Sequence, residues 1–82
     1  MAFWIPVEVD SYSGFRAEQE PRVVGGWQER IEVAEILDRW YEGGLEPGLP
    51  AVSYFRVLGK DGTVHLLRHD VTRDRWYIGV LI

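Results

Sequence analysis

His65 and His69 stand four positions apart, and a His-x-x-x-His pair on one helical turn is a common way to hold zinc. Leu66, Leu67 and Arg68 lie between them, so the glutamate that acts as base in the metalloprotease version is missing. On a strand the two positions lie about 13 Å apart, too far to share an ion at nitrogen distances of roughly 2.0–2.1 Å. These histidines read as surface or turn residues, and neither a metal nor a cofactor is expected. Carboxylates gather as Glu8 with Asp10, and as Glu29, Glu32 and Glu35. Paired acids divide general acid and base roles when their surroundings push their pKa values apart, whereas alternating acids on a strand ordinarily mark its solvated face. Ser11, Ser13 and Ser53 lack a Gly-x-Ser-x-Gly setting, cysteine is absent, and Gly25-Gly26 and Gly43-Gly44 match no phosphate-binding loop. Catalysis is not expected of this chain.

The polar residues that stand out are basic and lie among aromatics. Arg56, Arg68 and Arg75, with Tyr54 and Tyr77, fall in the last third of the chain. On strands, Tyr54 and Arg56 share a face, Val64, Leu66 and Arg68 share another, and Phe55 and Val57 are left for the core. An exposed strip of this kind can dock a protein partner, the first expectation. It can also hold single-stranded nucleic acid, with bases stacking on rings and guanidinium groups meeting phosphates. The plainer reading is that these arginines pair with nearby acids and lay their stems over apolar surface.

Asp-Arg-Trp-Tyr-x-Gly occurs twice, at 38–43 and 74–79. The flanks of the copies share nothing, so they read as two strand beginnings built alike and not as a duplication. If both are extended, Trp40 and Trp76 face away from Tyr41 and Tyr77. The tryptophans are then expected as core anchors, with Arg39, Tyr41, Arg75 and Tyr77 turned outward for recognition.

The elements that would carry these residues are short strands. Residues 51–58 are aromatic and β-branched, Gly59-Lys60-Asp61-Gly62 contains a tight-turn Asp-Gly, and 63–68 reads as the partner strand. A polar break at 69–74 leads to a last strand at 75–82, completing a β-meander. Earlier, 4–9 reads as a strand with Pro6 marking an edge or first position. A turn is expected at 11–14, irregular chain at 15–20, and a hairpin from 22–24 through Gly25-Gly26 to a strand beginning at Trp27. Residues 28–41 support two readings. Ile31 and Val33 alternate as in a strand, while Val33, Ile36, Leu37, Trp40 and Tyr41 recur at helical spacing. The reading adopted is a strand through Val33, a bulge or single helical turn at Ala34-Glu35, and 36–41 extended again. A loop follows at 42–50, with 43–50 the segment expected to move.

Six or seven short strands predict a mainly β, antiparallel barrel or bent sheet of SH3-like or OB-like size, with at most one helical turn near 33–39. At 82 residues this is one domain, which buries about 60–65% of its unfolded surface. With no cysteine, disulfides and thiolate zinc sites are excluded, in keeping with a reducing compartment. The N-terminus meets Glu8 and Asp10 too soon for a signal peptide, and no apolar run approaches the roughly 20 residues that span a bilayer. A soluble, cytoplasmic protein away from membranes is expected. The net charge of −4 divides unevenly, with ten acids against four arginines in residues 1–50, and five bases against three acids in 51–82. Overall acidity argues against a protein that coats DNA non-specifically. Ile78, Val80, Leu81 and Ile82 end the chain without a charged gatekeeper. That strand is either central, or the place where a second copy or another protein docks by strand pairing.

Taken in order, Tyr12-Ser13-Gly14-Phe15-Arg16-Ala17, Val33-x-x-Ile36-Leu37-Asp38-Arg39-Trp40-Tyr41, Tyr54-Phe55-Arg56-Val57, Asp61-Gly62 and Leu66-Leu67-Arg68-His69-Asp70 resemble an uncharacterised family of short bacterial cytosolic proteins over nearly the whole chain. Residues 26–76 are also similar to a segment found near, or at the tail of, Y-family-polymerase-like proteins of mutagenic repair. The resemblance implies a shared fold and a setting in DNA-damage tolerance. It brings no assigned activity, cofactor or catalytic residue.

Overall fold

A computed structural model describes residues 2–13, 19–26, 30–43 and 51–81. All of its regular structure is β: β1 Ala2–Ser13, β2 Gln19–Gly25, β3 Ile31–Glu42, β4 Val52–Gly59, β5 Val64–Asp70 and β6 Arg75–Leu81. The strands follow one another antiparallel around a closed barrel. Of the six or seven strands expected in a barrel or bent sheet, six form, and they close into a barrel without a helical turn among the described residues. Among the described residues no helix is long and apolar enough to cross a membrane. The expected strand beginning at Trp27 and the expected mobile loop fall largely on residues 27–29 and 44–50, outside the described residues. So does most of the irregular stretch expected at 15–20, although Gln19 and Glu20 belong to β2. The turn expected at 11–14 is overturned for Ser11, Tyr12 and Ser13, which continue β1 opposite Pro21, Glu20 and Gln19. A shift of register between Asp10 and Ser11 carries the strand past its polar residues.

Closure depends on β1 serving two partners. Residues 2–7 pair with β6 and residues 8–13 with β2. The changeover lies at Val7 and Glu8, where Gly26 turns with φ 83° and a Cβ would stand 3.4 Å from the Glu8 nitrogen. Pro6 falls where β1 is paired on the β6 side alone, a position that tolerates a missing N–H. β6 has β5 beside residues 75–78 and β1 beside residues 76–81, so its first half is central in the sheet while residues 79–81 are paired on the β1 side alone.

β3 explains its own ambiguity. Its inward residues are Ile31, Val33, Ile36 and Arg39, the first buried and the others half-buried. Register shifts at Val33/Glu35 and Ile36/Asp38 leave Ala34 and Leu37 without opposite residues on β4. Each bulge adds one residue between inward positions. Two of them in succession turn a spacing of two into a spacing of three, which imitates a helix.

Inside, side chains stack in rows that run across the strands. Arg39, Phe55, Leu67, Ile78 and Ile5 form one row, and Tyr41, Ser53, His69, Trp76 and Val7 the next. Val24, Ile31, Phe55, Val57, Leu67, Trp76 and Ile78 make the buried core, with Ile5, Val7, Val9, Val33, Ile36 and Val80 packed against it. Each such side chain contributes about 1.5–3 kcal/mol on removal from water. Phe55 and Val57 therefore point inward as their alternation required.

The meander turns are tied by local bonds. Asp61 accepts from the Thr63 amide at 2.9 Å, and Gly62 takes φ 85°. Between β5 and β6, the buried Asp70 accepts from the Arg73 amide and guanidinium, both at 3.1 Å. The Arg73 amide, and then its guanidinium, hold the Asp70 carboxyl below its ordinary value. This turn is accordingly at full strength above that ordinary value and weakens as pH falls through the lower folded one.

The two tryptophans of the repeated motif part company. Trp76 is an interior anchor, 6% exposed, against Phe55 and His69. Trp40, expected inside, is 41% exposed, because it lies between Arg39 and Tyr41, which keep the inward parity, so the two copies of the motif meet the barrel wall in opposite phase. Trp76→Ala should cost about 3–5 kcal/mol in urea unfolding, a large part of the 5–15 kcal/mol typical of a domain. Trp40→Ala should cost about 1 kcal/mol, the worth of an aromatic pair at the surface.

Candidate docking face

The outer surface of the barrel carries a continuous row of its own. Trp40, Tyr54, Arg68, Tyr77 and Pro6 lie opposite one another across β3, β4, β5, β6 and β1. Side chains directly across antiparallel strands are about 4.5–5.5 Å apart at Cβ, close enough for these rings to stack. Trp40 lies on Tyr54 with centroids 5.4 Å apart and planes 9° from parallel.

Trp4 completes the face from a distance. It is paired with Gly79, and glycine leaves nothing above the sheet at that point. A Cβ on Gly79 would meet the Trp4 indole at 3.3 Å and Leu66 at 3.5 Å. The indole lies in this hollow, beside Leu66, and reaches a ring contact with Tyr54 at 5.8 Å. The two motif glycines thus have different tasks. Gly43 ends β3 at φ 80°, while Gly79 gives room to a ring.

Arg68 is held at the centre. Its guanidinium carbon is 5.9 Å from the Trp4 ring centroid and 5.7 Å from that of Tyr77. Its Nε is buried and has no hydrogen-bond partner among the described residues. Such a donor costs about 1–3 kcal/mol, and two ring faces at about 0.5–2 kcal/mol each offset it. The Tyr54 hydroxyl sits between Glu42 and Arg68. Burial, and then the Glu42 carboxylate, push the Tyr54 phenol above its ordinary value, while Arg68 pulls it partly back. Tyr54 thus stays neutral through the ordinary pH range.

The remaining candidate residues scatter. Arg56 is exposed in the next row and bonds Asp38 at 3.2 Å. Arg75 is exposed opposite Asp70, one row to the other side. Arg39 does not turn outward as expected. It lies opposite Phe55, with its guanidinium 5.2 Å from that ring and 2.7 Å from Glu20. Tyr41 is 62% exposed but shares the inward parity of Ser53, so it stands at the barrel's end and not on the outer row. One cause accounts for both departures and for Trp40: Arg39 and Tyr41 keep the inward parity of Ile31 and Val33, which the two bulges of β3 together leave unchanged. Leu66 shares the face of Arg68 as alternation required, while Trp4, Trp40 and Gly79 were not among the expected residues of this face. The lone glycine between Ile78 and Val80 was the available sign, since a glycine inside a strand marks a close approach.

The two histidines are not the surface or turn residues expected: both belong to β5, and His69 is buried. His65 and His69 share the inward parity of Val57 and Ser53, four residues apart along β5. His69 is stacked on Trp76 at 4.1 Å and bonded through Nε2 to Asp74 at 2.9 Å. Asp74 takes φ 52° there, a conformation that Asp tolerates better than most residues. Among the described residues no three His, Asp or Glu side chains gather as a metal site. Glu8, Asp10, Glu32 and Glu35 are all exposed.

No protein-family profile, curated protein or solved structure matches the chain.

Gly79→Val places two methyl groups where the indole lies. The barrel should still fold, losing about 1–3 kcal/mol, while Trp4 leaves Tyr54. Near-ultraviolet circular dichroism should report the loss of the outer ring contacts, and urea unfolding the modest cost.

Proposed function

We propose that this protein is a non-enzymatic binding module, and that it docks another protein on the outer aromatic face. The observation that carries this reading is the row of Trp40, Tyr54, Arg68 and Tyr77, roofed by Trp4, on the outside of a barrel whose core is already filled. Trp, Tyr and Arg are the residue types that dominate binding energy at protein interfaces. Rings held by one another lose little freedom when a partner arrives, so most of the contact energy is retained as affinity. The cysteine-free chain suits work in the cytoplasm. Self-association by strand pairing would have to use residues 79–81 of β6, which pair with β1 alone, since residues 76–78 have a neighbour on each side.

Single-stranded nucleic acid is the second reading, and Arg68 between two rings is the observation in its favour. A setting in DNA-damage tolerance is compatible with either partner.

The test is capture from a native-host extract, with nuclease added, on the wild-type domain and on Trp40→Ala. A protein held by the wild type should be lost from the variant, whose affinity falls about 30-fold for the 2 kcal/mol of a hot spot. The variant should remain folded, melting about 4–8 °C below the wild type for its cost of about 1 kcal/mol. Capture that survives Trp40→Ala would place the docking site elsewhere, and capture abolished by nuclease would favour nucleic acid.

A further inference from the structure

The charges around the face say more about its occupant. The outward residues of β3 are Glu35, Asp38, Trp40 and Glu42, lying opposite Leu58, Arg56, Tyr54 and Val52 of β4. All four β3 residues are exposed. Three carboxylates therefore line one side of the face, interrupted only by an indole. The floor beside them is Leu58, Tyr54, Leu66 and Trp4, with the half-exposed Val64 beyond Leu58. Facing this acidic rail the floor offers Arg56, already bonded to Asp38, and Arg68, already held between rings.

We propose that the segment received here is extended and basic, with Lys or Arg alternating with apolar residues. This rests on reading the outer face as a protein-docking site, and adds the chemistry of what docks. Alternate residues of an extended chain are roughly 6.6 Å apart, the same repeat that separates Asp38, Trp40 and Glu42 along β3. A segment lying along the strands sets cationic side chains against Asp38 and Glu42 and across the Trp40 face. Its apolar side chains then rest on Tyr54, Leu66 and Trp4. The Arg56–Asp38 pair does not obstruct this, since its side chains are 51% and 60% exposed and such pairs are worth about 0–1 kcal/mol. A polyanion meets the opposite field. Its phosphates would lie beside three carboxylates in a domain of net charge −4, with two arginines already engaged.

The test uses short peptides of equal length, alternating Lys-Val, Glu-Val and Gln-Val, together with an oligothymidylate. Binding of each is measured by fluorescence anisotropy at low and high salt. The wild type should bind Lys-Val about tenfold or more above Glu-Val, with the margin shrinking as salt rises. In the variant Glu35→Lys/Asp38→Lys/Glu42→Lys the preference should reverse, with melting close to the wild type because all three sites are exposed. Equal binding of Gln-Val and Lys-Val, unmoved by the reversal but lost in Trp40→Ala, would overturn the basic partner and leave the docking face standing. Failure to bind Lys-Val at all would also overturn it. Preferential binding of oligothymidylate, lost in Arg68→Ala, would overturn both the basic partner and the protein-docking reading.

Discussion

The double duty of β1 is the constraint on which the rest depends. By pairing residues 2–7 with β6 and residues 8–13 with β2, it turns a six-stranded sheet into a closed barrel. The same pairing sets Ile5 and Val7 against Ile78 and Trp76 in the core, and Trp4 over Gly79 on the outside. One register thus positions both the interior row and the roof of the outer face. A slip of one residue would exchange them, putting an indole in the core and an isoleucine in the hollow, because strand side chains alternate with period two.

Two aromatic assemblies result, separated by the thickness of a single sheet. Phe55, Trp76 and His69 stack within the barrel, while Trp40, Tyr54, Trp4 and Tyr77 gather around Arg68 outside it. The first is shielded from water and stabilises the fold. The second remains partly wet, and in a domain of this size an outer aromatic layer contributes less to stability than its area suggests. A polar charge at its centre, a buried Nε without a partner, and carboxylates along one side give that layer a chemical character that a purely stabilising patch does not need.

The meander was legible because its signals are local. Asp61-Gly62 demanded a tight turn, and the alternation of Tyr54, Phe55, Arg56 and Val57 assigned each face correctly. Of the candidate residues, Tyr54, Arg68 and Tyr77 come together in one row because their strands are regular and parity survives. Arg39, Tyr41 and Trp40 fall on faces opposite to those expected, because the expectation makes the tryptophan of each motif copy the core anchor. In β3 it is Arg39 and Tyr41 that keep the inward parity of Ile31 and Val33, since its two bulges each shift parity by one and so cancel. The inward spacing of 33, 36 and 39 did leave a trace, the apparent helical period of that segment. Trp4 was out of reach of local reasoning. Its role depends on pairing with Gly79, a partner 75 residues away in the chain.

The contact between Trp4 and Gly79 is therefore the point at which closure and the outer face are tested together. Proton nuclear Overhauser spectroscopy should show cross-peaks from the Trp4 ring protons to the Gly79 Hα protons and the Leu66 methyls, with the Gly79 signals moved upfield by the ring current. Gly79 Hα signals at ordinary strand positions, with no cross-peak to Trp4, would contradict the account.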